Sequence, residues 1–534
     1  MRALPQFSPP RPRDSSAGRR SPFCTTPLSG ERIPLPCVSK PIVGQWRDPS
    51  RVPHLMEQPT QPPAAASRLP GSRREVLGLA WPIGVSMVSM TLKGVVDMLM
   101  VGRLGTEALA GVGLGNILAM NALAFGVGML RGQKSLVSQH VGAGEPRTAL
   151  SFGAHAFYLA LMIGGVSLAL SRVAGPLLVG LMAGSELSPA SVHMASQYLT
   201  LRLDFGISML VALAVGEYLR ATGRPRLPML CDLISHPLNV FFNWTLIYGH
   251  LGLPRLGVAG SALGTGLADT ISLLLLLFVA SKGYKLPKER EPYRFLPRRF
   301  LRLCSVGAST GVQFVLEVGS FSLITYLVAA HLGSTALAAH QACFSAMMLS
   351  FLPAVAIGDG GGVLVGRYVG RKDWSAVRQA QRSSISMALS FMSVMALLFV
   401  VFRHQIVRLY LRDEDPAVQE AARALGAQVL CVAAFWQIGD AFQIVYRFVL
   451  RATGDHRWVM WVGILCAWLL SAPLAWLAIQ VLGGGLALVW ILWSAEIYVG
   501  ALVFWWRWRS GAWVRKRLVQ DQAESSLTMG QLTE

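Results

Sequence analysis

Three carboxylates stand inside apolar runs: Asp97, Glu317 and Asp440. An ionised acid in hydrocarbon is expensive, so it normally faces a partner or a water-filled cavity. Such an acid can take up a proton or a hard monovalent cation and release it when its surroundings change. The plainer reading is a carboxylate that merely satisfies a neighbouring helix. Asp440 lies in FWQIGDAFQIVYRFVLRATG, where Gln437, Asp440, Gln443, Ile444 and Arg447 recur at steps of three and four. On a helix these fall on one face. Glu317 shares a stripe with Thr310, Gln313 and Ser320, and Asp97 follows Ser86, Ser89 and Lys93 on another.

The oxygens of Glu317 and Asp440, with those of Gln313, Gln437 and Gln443, are ligands of the kind sodium prefers. Sodium is therefore the ion expected at these acids, with the proton as the alternative, and no further cofactor is expected. Lys93 stands four residues before Asp97, so the two are neighbours on one helical face. Lys93 is expected either to act as a built-in counterion that keeps Asp97 ionised, or to form with Asp97 a brace that stiffens the first half of the chain. Weaker polar signals are Arg131 and Lys134, which suit lipid headgroups or a gate, and an Arg202–Asp204 pair. Glu217 and Asp232 are expected to pair with nearby arginines, Asp269 and Glu496 with neighbouring helices. Asp359, in GDGGG, suggests a polar site at a helix break, or glycines that only allow close packing.

The elements that must hold these residues are membrane helices. Of 534 residues, 53% are hydrophobic and only 14% charged, and the mean hydropathy is +0.47. Soluble domains carry about a quarter charged residues. Twelve apolar runs reach spanning length, at about 76–102, 108–138, 149–180, 194–220, 226–249, 257–281, 303–330, 335–365, 376–402, 423–451, 457–481 and 485–508. The expected fold class is thus an all-α polytopic membrane protein. A net charge of +20 could suggest nucleic acid. Its basic residues, however, sit in a leading tail and between apolar runs, the pattern of cytoplasmic loops, so no nucleic-acid partner is expected. That bias places both termini in the cytoplasm. The seven cysteines show no CxxC and read as small buried hydrophobes.

The chain looks doubled. Leu-Arg-Ala-Thr-Gly occurs at 219–223 and again at 450–454, and RLGTEALAGV at 103–112 aligns with HLGSTALAAH at 331–340. The expected organisation is a disordered Pro-rich tail at 1–75, a six-helix lobe at 76–281, a cytoplasmic linker at 282–302, a second lobe at 303–508 and a cytoplasmic tail at 509–534. Translation starting at Met56 would make 1–55 an annotation extension. Two lobes with six spans each are related by an axis along the membrane normal, with a cavity between them.

VVDMLMVGRLGTEALAGVG, LEVGSF and FWQIGDAFQIVYRFVLRATG together resemble the multidrug and toxic compound extrusion (MATE) family, closest to its bacterial NorM-type branch. The resemblance covers about 73–508. It implies twelve transmembrane helices in two pseudo-symmetric six-helix lobes around a V-shaped cavity. It also implies efflux of organic cations or other small molecules driven by entering sodium or protons. The family's acids in spans 1, 7 and 10 match Asp97, Glu317 and Asp440, and Lys93 replaces a usually uncharged residue. Phe435, Trp436, Phe442 and Tyr446 lie near Asp440, and cation–π contact there makes Trp436 and Tyr446 candidate substrate contacts, against the plainer reading as packing. The expected setting is a monomer in the lipid bilayer of a bacterial inner membrane. A lipid-linked precursor flippase of the same superfamily would favour a basic cavity. A membrane-embedded prenyltransferase would need clustered acids for magnesium, and Asp413-Glu414-Asp415 lies among loop arginines. No GxxxxGK[ST] supports direct ATP coupling.

Overall fold

In the computed structural model, residues 69–182, 188–283, 291–411, 416–516, 518 and 519 are described. Met56, the tail up to residue 68, the 413–415 acidic cluster and the end of the chain lie outside them.

Helices run through the whole described chain. In order they are α1 (Arg73–Gly102), α2 (Thr106–Arg131), α3 (Gln133–Gly142), α4 (Pro146–Met182), α5 (Pro189–Asp204), α6 (Gly206–Ala221), α7 (Arg226–Tyr248) and α8 (Val258–Gly283). Then follow α9 (Pro297–Gly370), α10 (Trp374–Val401), α11 (Arg403–Tyr410), α12 (Pro416–Thr453), α13 (His456–Leu465), α14 (Ala472–Trp476) and α15 (Leu486–Arg509). Among the described residues, nine helices are long and apolar enough to cross a membrane, and the bent pair α5–α6 makes ten. Helix α9 is itself two spans, because Gly333 breaks it with φ 80° and ψ 177°. Helix α7 completes twelve. It is less apolar than the others because Asp232, His236, Asn239 and Asn243 punctuate it.

The doubling seen in the sequence is visible in the backbone. Gly105 and Gly333, which start the second span of each half, both have positive φ, 117° and 80°. So do the glycines that close the two Leu-Arg-Ala-Thr-Gly segments, Gly223 at 79° and Gly454 at 105°. Only glycine enters that region without steric cost, so the same turn is built twice from the same residue.

Two apolar cores fill the first half, one around Leu130, Leu199 and Leu219 and one around Val101 and Ile247. Two more fill the second, around Val449 and Phe504 and around Ala433 and Trp490. The halves interlock at one end of the bundle. Val76 and Ala80 of α1 join a second-half core, and Leu303 and Val306 of α9 join a first-half core. Glycines permit this crossing. A Cβ on Gly128 would meet the backbone of Gly311 at 2.5 Å, and one on Gly132 would meet Gly307 at 2.6 Å. Small residues of this kind let membrane helices approach closely. Beyond the spans, Asp373 caps α10 by accepting from the Ala376 N–H at 3.0 Å. That backbone donor holds its carboxyl below the usual aspartate range.

Candidate functional site

The acids occupy separate polar clusters, one inside each half. In the first, Asp97 of α1 is 9% exposed. Its carboxylate accepts from the Asn243 side-chain amide of α7 at 2.6 Å and from the Thr265 hydroxyl of α8 at 3.3 Å. The Asn239 amide donates to that hydroxyl at 3.1 Å, extending the chain of bonds. All these donors are neutral.

Lys93 does not pair with Asp97. Its ammonium lies 2.8 Å from Asp269 of α8, and Arg202 of α5 reaches the other oxygen of Asp269 at 3.2 Å. Packing of α8 against α1 supplies a carboxylate directly opposite Lys93, whereas the oxygens of Asp97 are taken by Asn243 and Thr265. The expected Arg202–Asp204 pair is absent for a simpler reason: residues two apart on a helix do not face each other. Asp204 instead bonds Arg172 at 2.9 Å and Ser171 at 2.6 Å. Sequence reading passed over Asn243 and Thr265, although amides at 239 and 243 in a spanning run share a helix face.

In the second half, Glu317 of α9 forms an ion pair with Arg447 of α12. Gln313 donates to the same carboxylate oxygen at 2.8 Å, and Arg451 donates to the Gln313 carbonyl at 2.7 Å. Asp440 is 6% exposed and, among the described residues, makes no ion pair or hydrogen bond. The charges acting on it are those of Arg447, Glu496 and Glu317. Gln437 is fully buried with both amide atoms unpartnered. Gln443 is buried beside Glu496 of α15. A cavity of about 50 Å³ is lined by Glu317, Gln443, Arg447, Ser471, Trp493 and Glu496 among others, with Asp440 outside its lining.

The sodium ligand set expected of Glu317, Asp440, Gln313, Gln437 and Gln443 is therefore not closed. A guanidinium takes the Glu317 carboxylate, and among the described residues no group of three or more acids, histidines or cysteines is placed to hold a metal. The expected aromatic contacts are also rearranged. Trp436 is 5% exposed and packs edge-on against Trp493 with ring centres 4.4 Å apart. Tyr446 is 4% exposed, accepts from Gln381 at 3.3 Å and lies 6.4 Å from the Trp508 ring. Both are core residues, because α15 and α10 cover the α12 faces that carry them.

Between the halves, the Lys134 ammonium of α3 lies 2.5 Å from Glu217 of α6 and 2.6 Å from Asp359 of α9. Lys134 is thus neutralised inside the protein rather than turned to lipid, and Asp359 sits in unbroken helix as its partner across the interface. Glu217 also accepts from Arg220 at 3.1 Å, and Arg220 lies 3.7 Å from Asp232. Arg131 lies over the Phe314 ring of the other half, 5.7 Å from its centre.

Comparison with known proteins agrees with this architecture. The MatE family profile matches residues 82–245 and again 310–477, once in each half. The chain is 30% identical over 448 residues to a probable multidrug resistance protein NorM of Geobacillus kaustophilus (strain HTA426), covering 82% of this chain and 95% of the relative. It is 30% identical over 463 residues to a protein of the same description from Pseudomonas putida, covering 85% and 98%. Among solved structures, a MOP superfamily transporter from Pyrococcus furiosus superposes with a TM-score of 0.75 at 18% identity, covering 83% of this chain and 96% of that one.

Proposed function

Because the chain belongs to the MatE family and is a multi-pass membrane transporter rather than an enzyme, we propose that it exports organic cations in exchange for entering sodium or protons. The observation that carries this reading is Asp440. It is buried, has no ion-pair partner among the described residues and lies near an arginine already held by Glu317. A carboxylate in that state costs several kcal/mol while charged. Binding a cation or proton removes the cost, and losing it restores the cost, so the acid's loading can bias one lobe arrangement over another.

In this reading the interlocked end faces the cytoplasm of a bacterial cell. Lys134–Asp359 and the Gly128–Gly311 and Gly132–Gly307 contacts close that side. Rocking of the two lobes breaks them and opens the cavity inward. Relatives described as multidrug resistance proteins support an organic cation as cargo, as does an interior that holds acids. Sodium remains the first candidate on the oxygen-rich faces of α9 and α12. The proton is the second, favoured because Arg447 already occupies Glu317. The protein is taken to act as a monomer. Efflux of an organic cation dye from vesicles, under sodium and proton gradients imposed separately, tests the reading. Glu317→Gln and Asp440→Asn are each expected to abolish efflux while leaving membrane insertion intact. Normal efflux by both variants would refute it.

A further inference from the structure

The chain does not leave the bundle where α15 ends. Gly511 turns it with φ 67°, and Ala512–Lys516 wind into a short 3₁₀ turn. The ring of Trp513 stacks on that of Trp508 in α15, with centres 4.4 Å apart and planes 5° apart. Its indole N–H donates to the Trp508 carbonyl at 2.9 Å. Trp374 at the start of α10 meets the same ring edge-on at 6.0 Å. Trp513 is thus anchored in a second-half core, with 5% of its surface exposed.

A few residues later the segment has reached the other half. Leu518 is 9% exposed and joins the first-half core that contains Leu130 and Leu219. Its N–H donates to the Gln139 side-chain carbonyl of α3 at 2.7 Å, and its carbonyl accepts from Arg302 at the start of α9. Gln139 turns its amide nitrogen the opposite way, to the Ala452 carbonyl of α12 at 2.7 Å. A Cβ on Gly454 would collide with the Lys516 carbonyl, so the segment also presses on the turn that ends α12. All this happens at the interlocked end, where a Cβ on Gly370 of α9 would collide with the Gln139 carbonyl of α3.

We propose that residues 513–518 form an autoinhibitory strap that holds the interlocked end shut, and that Leu518 must leave its first-half pocket before that end opens. Trp513 is held by α15 and α10, so it moves with the second half. Leu518 is held by first-half side chains and by Gln139, so it moves with the first. Helices α3 and α12 cannot part while this short segment is docked on both. Drawing Leu518 out returns its side chain to water and removes the backbone partners of Gln139 and Arg302, so docking favours the closed arrangement. The strap rests on the rocking of the lobes for its effect on export, whereas its docking rests on these contacts alone.

The test uses the full-length chain in membranes, freed of cysteine and carrying Ser309→Cys as reporter. Ser309 lies on α9 between Gly307 and Gly311, at the crossing of the halves, and is 7% exposed. Thiol labelling from the interlocked end is timed for this parent and for Leu518→Glu, Leu518→Ser and Leu518→Met. Leu518→Glu puts a charge into an apolar pocket and is expected to speed labelling about tenfold. Leu518→Met still fills the pocket and is expected to keep the parent rate. Should Leu518→Glu fail to fold, Leu518→Ser, which empties the pocket without adding charge, decides in its place, with faster labelling expected. The parent rate in folded Leu518→Glu or Leu518→Ser would overturn the strap, and so would equal acceleration by Leu518→Met. Faster labelling of Leu518→Glu in a protein that exports no organic cation under either gradient would overturn the antiport reading and leave the strap standing.

Discussion

At the scale of single residues, packing between helices decides which acids are neutralised. Lys93 is four residues from Asp97 in sequence, but its partner is Asp269, 176 positions away. Lys93→Leu is therefore expected to destabilise the protein by about 2 kcal/mol, the cost of one charge-assisted hydrogen bond, because Arg202 still partners Asp269. The ion dependence of efflux is expected to stay unchanged. A melting curve and efflux under separate gradients check both parts, and an altered ion dependence would restore the counterion role. Trp436 makes a parallel case. It is wedged against Trp493, so Trp436→Ala is expected to cost about 3–5 kcal/mol through the void it leaves without changing the order in which substrates are preferred. A changed substrate order at constant stability would return Trp436 to the cavity.

At the scale of elements, twelve spans were legible because spanning length and apolar content are local properties of a run. The repeat was legible too, and Gly105 and Gly333 show why. A turn that needs positive φ keeps its glycine in both copies. The register between helices was not legible. Nothing local in α1 says that α8 presents Asp269 to Lys93, or that α7 and α8 present Asn243 and Thr265 to Asp97. Lys134 shows the same limit. Its place near the end of a span left lipid headgroups and a gate both open, and only the packing shows that α6 and α9 enclose it with Glu217 and Asp359. If that contact helps hold one side closed, Lys134→Met should loosen it. In a chain otherwise free of cysteine, thiol labelling of Ser309→Cys from that side is expected to speed up about tenfold for each 1.4 kcal/mol of closure lost. An unchanged labelling rate would show that the interface stays closed without that ion pair.

At the scale of the whole molecule, the two halves carry different electrostatics despite their common architecture. In the first, Asp97 and Asp269 are matched by Lys93 and Arg202. In the second, Glu317, Asp440 and Glu496 exceed Arg447 and Arg451 by one charge. The lobes are thus copies in fold but not in chemistry. The central claim is that an entering ion, held by the second lobe's acids, drives export. The most direct measurement is uptake of an organic cation dye into inverted vesicles containing purified wild-type or Asp440→Asn protein. A sodium or a proton gradient is imposed alone, without ATP. The wild type should accumulate the dye only while one gradient is present, and Asp440→Asn should not accumulate it under either. Equal accumulation by both proteins, or accumulation by the wild type with no gradient at all, would contradict the account.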